Sequence, residues 1–117
     1  ALTDQTCMGT DPNADKIGWY PGNSKVQKHT RGQKAANALG LYDMPGNVAE
    51  WCHDLYLQDL GPSDQTDPWG ASTGSERIIR GGAWRLGNAG SLRAAHRYHA
   101  PAADRGDYIG FRCVLTR

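Results

Sequence analysis

The stretch Gly40-Leu41-Tyr42-Asp43-Met44-Pro45-Gly46-Asn47-Val48-Ala49-Glu50-Trp51 constrains this chain more than any other. Pro45-Gly46-Asn47 is a turn signal, and it sets the carboxylates of Asp43 and Glu50 on either side of a loop whose backbone carbonyls tip outward. Residue types alone leave two roles open for them. In one, Asp43 satisfies its own turn backbone and Glu50 is solvated. In the other, carboxylates and carbonyls together form an all-oxygen cage of the kind calcium takes.

Around that stretch the chain is short of apolar runs. Fifteen Gly and six Pro among 117 residues, with a mean hydropathy of -0.65, leave little from which to build an autonomous core. The chain is therefore expected to fold poorly alone. A net charge of +1 argues against a strong nucleic-acid or membrane footprint. No stretch approaches the roughly 18 apolar residues of a membrane span. The chain starts abruptly at Ala1-Leu2-Thr3, and no signal peptide is expected at that point.

The first forty residues read as loop, punctuated by Asp11-Pro12-Asn13, Pro21-Gly22-Asn23 and Asn37. Ile17-Gly18-Trp19-Tyr20 is their one apolar cluster, an edge strand or packed turn whose aromatic pair is expected to be buried against polypeptide outside this chain. Lys25, Lys28, His29, Arg31 and Lys34 form a basic run without interleaved aromatics, expected to be a solvated face. Asn47 to Leu57 suits a short turn or strand leaving the Pro45-Gly46 loop and packing on the core. Arg77-Ile78-Ile79-Arg80 reads as a second strand, broken by Gly81-Gly82 where another backbone must approach closely. Tyr108 to Leu115 reads as the strand that closes the domain.

Cys7, Cys52 and Cys113 are odd in number, so at least one thiol is free or paired elsewhere, and none stands in a Cys-x-x-Cys spacing. His29, His53, His96 and His99 show no i, i+4 pair, which argues against zinc.

Gly40-Leu41-Tyr42-Asp43 with Gly46-Asn47 and Glu50-Trp51, then Arg80-Gly81-Gly82, then Gly110-Phe111-Arg112, resembles in order the motifs of the formylglycine-generating-enzyme, or sulfatase-modifying-factor, domain. The resemblance covers most of the chain but only the C-terminal half of that domain, so residues 1–117 are expected to be such a half and to need the N-terminal half as partner. It implies an α+β fold of low regular structure, C-type-lectin-like. It also implies a structural calcium ion on the Asp43 and Glu50 side chains and the carbonyls of Gly46 and Val48, and a disulfide from Cys113 to the N-terminal half.

The enzymes of this family hold copper on two cysteines that follow the Arg-Gly-Gly motif and stand five residues apart. Here those positions fall on Leu86 and Ser91. Neither replaces a thiolate toward copper(I), so no copper is expected and formylglycine formation is not the expected activity. The three-histidine ligand set of the iron-dependent branch belongs to a different domain.

Arg85 to Tyr108, where the active site would lie, contains no Lys, Glu, Gln, Trp or Met. Asparagine codons altered only at their adenines cannot reach those five residues. The segment thus resembles the variable region of diversity-generating-retroelement proteins, which share the fold and the closing Gly-Phe-Arg. Rewritten positions are expected at Arg85, Leu86, Gly87, Ser91, His96, Tyr98, His99, Ala100, Asp104, Gly106, Asp107 and Tyr108, on a frame of Trp84, Leu92, Arg93, Arg97, Arg105 and residues 109–112. Its Tyr, Arg, His and Gly suit a binding surface. The resemblance implies a display protein for an unknown protein or surface ligand, at a cell surface, secreted or on a phage. The alternatives are a sulfatase-modifying enzyme and a degenerate homologue whose pocket has decayed.

Overall fold

A computed structural model describes residues 10–61, 64 and 69–115; Cys7 lies outside the described residues. Four short strands form one sheet in the order β3-β2-β1-β4. β1 (Ala49–Leu55) and β2 (Glu76–Arg80) pair antiparallel, with Glu50 opposite Arg80 and Trp51 opposite Ile79. β3 (Tyr98–Pro101) runs antiparallel to β2, and β4 (Ile109–Gly110) runs parallel to β1. Helix is confined to one turn, α1 (Ala14–Ile17), and a 3-10 turn at Ala89–Leu92. The fold is α+β with little regular structure, as the resemblance implies.

The pleat explains which residues are buried. Trp51 and Ile79 stand opposite each other and so share a sheet face with Tyr98, the partner of Ile79 on β3. Ala49, Ile79, Ala83 and Ala100 form the centre of that face, with Trp51, Leu86, Tyr98, Tyr108 and Ile109 packed around it. A second core gathers Ala14, Tyr20, Ala89 and Leu92. Both are rich in alanine, so backbones lie close and loops take over work that side-chain volume does in larger domains.

Tyr20 carries the first forty residues. Only 1% exposed, it accepts a hydrogen bond from the Asp11 N–H at 2.6 Å and donates to Asp15 Oδ1 at 2.9 Å. Asp11, fully buried, uses Oδ1 to accept the N–H groups of Asn13 and Ala14, which opens α1. Burial pushes the Tyr20 phenol up to about 12.

Three expectations change here. The aromatic pair does not wait for outside polypeptide: Tyr20 is buried within this chain, and Trp19 is sandwiched by His29, stacked at 3.6 Å, and by Lys34 Nζ, 3.7 Å from its ring centre. Two members of the basic run are therefore packed, because a ring face attracts a cation that sequence spacing does not bring near it. Third, only Ile109–Gly110 of the closing segment pairs as strand; Phe111 to Leu115 leave the sheet and are exposed, with Phe111 at 78%. β4 is an edge, and no described strand lies beyond it to extend the ladder. Among the described residues no helix is long and apolar enough to cross a membrane.

Candidate functional site

The turn ahead of β1 is held from both sides. The Gly46 N–H donates to the Gly81 carbonyl at 2.7 Å, which is the close approach the paired glycines signal. Gly46 itself, at φ 82°, has no room for a side chain, since a Cβ would sit 2.6 Å from the Trp19 backbone. Asn47 reads in the sequence as a turn residue, and its wider bridging role is what sequence reasoning missed. Its side chain accepts from the His29 N–H and donates to the His29 carbonyl, both at 2.9 Å. Its N–H donates to Trp19 O and its carbonyl accepts from the Trp84 N–H. One asparagine thus joins three distant segments; its place directly after Pro45-Gly46 was the available signal, and it adopts a positive φ of 65° in the turn.

Of the four residues read as calcium ligands, Asp43, Val48 and Glu50 line one cavity and Gly46 does not. Tyr42 and Arg112 also line this cavity, of about 690 Å³. Asp43 Oδ2 accepts the Gly32 N–H at 2.7 Å, while Oδ1 is buried with no hydrogen-bond partner. Glu50 is clasped by Arg112, whose Nε reaches Oε2 at 3.1 Å and whose terminal nitrogen reaches Oε1 at 3.0 Å. The same terminal nitrogen donates to the carbonyls of Tyr42 and Asp43 at 3.1 and 3.2 Å. The Glu50 hydrogen bond raises the Arg112 pKa further, so the guanidinium stays charged. No three His, Cys, Asp or Glu side chains converge among the described residues. A cation here would depend on backbone carbonyls beside the two carboxylates, which suits a hard ion, and the unpartnered Asp43 oxygen is a donor without another use.

The segment from Arg85 to Tyr108 divides over both sides of the sheet. Neighbours on a strand point to opposite faces, so Tyr98 and His99 cannot share one. On the core side, Arg85 pairs with Asp107 at 2.9 Å and lies 5.2 Å from the ring centres of both Trp84 and Tyr108. His96 tilts against Tyr98 at 4.8 Å, and burial, then the nearby Arg80 charge, lowers its pKa. On the other side, His99 stacks on Tyr56 at 3.9 Å and meets Glu76 at 2.7 Å.

Arg85, His99, Asp104 and Asp107 are exposed; Leu86, Gly87, His96, Tyr98, Gly106 and Tyr108 are half-buried. Ser91 and Ala100 are buried, at 3% and 8%, and do not present side chains outward. Ser91 Oγ is spent on the Asn88 N–H at 3.1 Å, in a reciprocal cap of the 3-10 turn. A Cβ on Gly87, whose φ is 79°, would come 1.8 Å from that Oγ, so this position is closed to other residues while Ser91 stays. Tyr98 and Tyr108 pack on the core, and truncating them costs stability as well as contact area. The thiols among the described residues are Cys52, half-buried with its pKa raised first by burial, and the exposed Cys113. Leu86 packs on the sheet core.

The model of the sulfatase-modifying factor enzyme 1-like domain matches residues 8–117. Treponema denticola variable protein 1 superposes with a TM-score of 0.79 at 36% identity, covering 87% of this chain and 37% of that one. Serine/threonine-protein kinase pkn1 of Chlamydia caviae is 44% identical over 83 residues, 68% of this chain and 13% of the kinase. The formylglycine-generating enzyme of Thermomonospora curvata is 35% identical over 87 residues, 68% of this chain and 28% of the enzyme. The chain therefore spans well under half the length of each of these proteins.

Proposed function

From the premise that the chain belongs to the sulfatase-modifying factor enzyme 1-like family, we propose that it is a non-catalytic binding member of it. Its partner surface is the core-side part of residues 85–108: Arg85, His96, Tyr98, Asp107 and Tyr108 around Trp84. The observation that carries this is the replacement of the two copper-binding thiol positions by Leu86, packed on the core, and Ser91, whose hydroxyl closes a cap. Without two thiolates nothing there holds copper(I) or passes electrons to oxygen. The exposed Arg85, backed by the buried Trp84 ring and beside the half-buried Tyr108, is of the side-chain kinds that dominate contact energy at interfaces. The likeness to a Treponema variable protein supports the further reading that a retroelement rewrites this surface.

Calcium on Asp43, Glu50 and the carbonyls of Gly46 and Val48 belongs to the same proposal. The ion would tie the turn to β1 and hold the scaffold rigid, supplying no chemistry to a reaction. The remaining polypeptide of the domain is proposed to cover the row of Leu41, Tyr42, Met44, Phe111 and Val114, each between 41% and 80% exposed.

The test is enzymatic and genomic. The purified protein with copper, oxygen and a sulfatase-type cysteine peptide is expected to give no aldehyde product; turnover sinks the proposal. A near-copy of the DNA encoding residues 85–108, carrying asparagine codons at the exposed positions and lying beside a reverse transcriptase, supports retroelement rewriting. Its absence removes that part alone. Arg85→Ala is expected to weaken partner binding by about 1–4 kcal/mol where it is a hot spot, by calorimetry, with the melting temperature nearly unchanged.

A further inference from the structure

We infer that Arg112 is the positioning residue of the Asp43/Glu50 site: its guanidinium fixes the separation of the first and last oxygen ligands and so sets cation affinity. This rests on the calcium reading above. Four contacts converge on one side chain: two Glu50 oxygens at 3.0 and 3.1 Å, and the Tyr42 and Asp43 carbonyls at 3.1 and 3.2 Å. Glu50 lies in β1 and Asp43 in the turn before it, where Asp43 adopts a positive φ of 53°. Arg112 follows β4, the strand parallel to β1. The guanidinium thus bridges a strand-borne carboxylate and the backbone of a strained loop from a third element.

A carboxylate offers about four lone-pair positions, and the fork of Arg112 uses two, which leaves two for an ion. The fork also removes the rotameric freedom of Glu50, so a bound ion need not order that side chain. Holding the Tyr42 and Asp43 carbonyls does the same for the loop that carries Asp43. Coulomb's law pulls the other way: a positive charge beside a cation site repels the ion. The two effects have opposite signs on affinity. Positioning predicts that loss of Arg112 weakens calcium binding, whereas plain repulsion predicts that it tightens. Lysine keeps the charge but, as a point donor on a flexible stem, cannot span both carboxylate oxygens and two carbonyls.

Calcium titration by calorimetry on the complete domain, with residues 1–117 joined to the rest of its polypeptide, carrying the wild-type residue, Arg112→Gln or Arg112→Lys, with Glu50→Gln as control, decides the matter. Alongside it, the rise in melting temperature on adding calcium is read for each. Arg112→Gln and Arg112→Lys are both expected to raise the calcium Kd by about 10- to 100-fold and to shrink the calcium-induced rise. A variant merely less stable would melt lower with and without calcium while keeping the rise. Equal or tighter binding in Arg112→Gln, with the wild type and control behaving as ligand and ligand loss, overturns the role of Arg112 and leaves the calcium site standing. A wild type that takes up no calcium overturns both.

Discussion

At the scale of single residues, Tyr20 and Asn47 hold more of the structure than their sequence positions suggest. Tyr20→Phe removes the acceptor of a buried Asp11 N–H and the donor to Asp15. It is expected to cost about 1–3 kcal/mol in denaturant unfolding. The phenol also sets an alkaline limit. Its pKa is about 12 in the fold against an ordinary 10, so its contribution is whole below pH 10. Stability then falls as pH rises through 12, because the unfolded chain ionises first. Melts across that range should fall more steeply for wild type than for Tyr20→Phe. The turn at Pro45-Gly46-Asn47 and the close backbone approach at Gly81-Gly82 were legible in the sequence because proline and glycine carry those signals in their own backbone freedom. The wider contacts of Asn47, Lys34 and His29 were not, since each acts on a residue brought near only by folding.

At the scale of elements, β2 is legible from its β-branched pair Ile78-Ile79, whereas β1 has only Ala49, Trp51 and Leu55 as apolar residues on its frame and is set by pairing with β2. β4 is shorter than its apolar sequence suggests: pairing with β1 stops at Gly110 although β1 runs on to Leu55, and Phe111 onward leaves the sheet. The binding segment was legible as a stretch but not as a surface: pleating sends His99 to one side and Tyr98 to the other, and the 3-10 turn takes Ser91 inside. The turn before β1 is where one atom decides most. Gly46→Ala places a Cβ 2.6 Å from the Trp19 backbone at a positive φ, so the turn must move. The expected outcome is a loss of at least about 1 kcal/mol, with the calcium-induced rise in melting temperature lost as well.

At the scale of the whole molecule, two small alanine-rich cores stand against a row of apolar side chains left in water, among them Leu115 at 90% and Val114 at 80%. Expressed by itself the chain is expected to bind hydrophobic dye and to unfold broadly by near-ultraviolet dichroism. Added polypeptide from the rest of the domain should quench the dye and sharpen the transition; a sharp transition for the isolated chain would show that the row needs no cover. The sheet order has its own corollary for evolution. Residues 98–101 form one margin of the sheet and residues 109–110 the other, so the chain between them must cross three strand spacings, roughly 14 Å. Seven residues, 102–108, make that crossing. Fully extended they would reach over about 20 Å, so the bridge carries slack, and descendants of this scaffold can differ there in length as well as in letter without moving either margin.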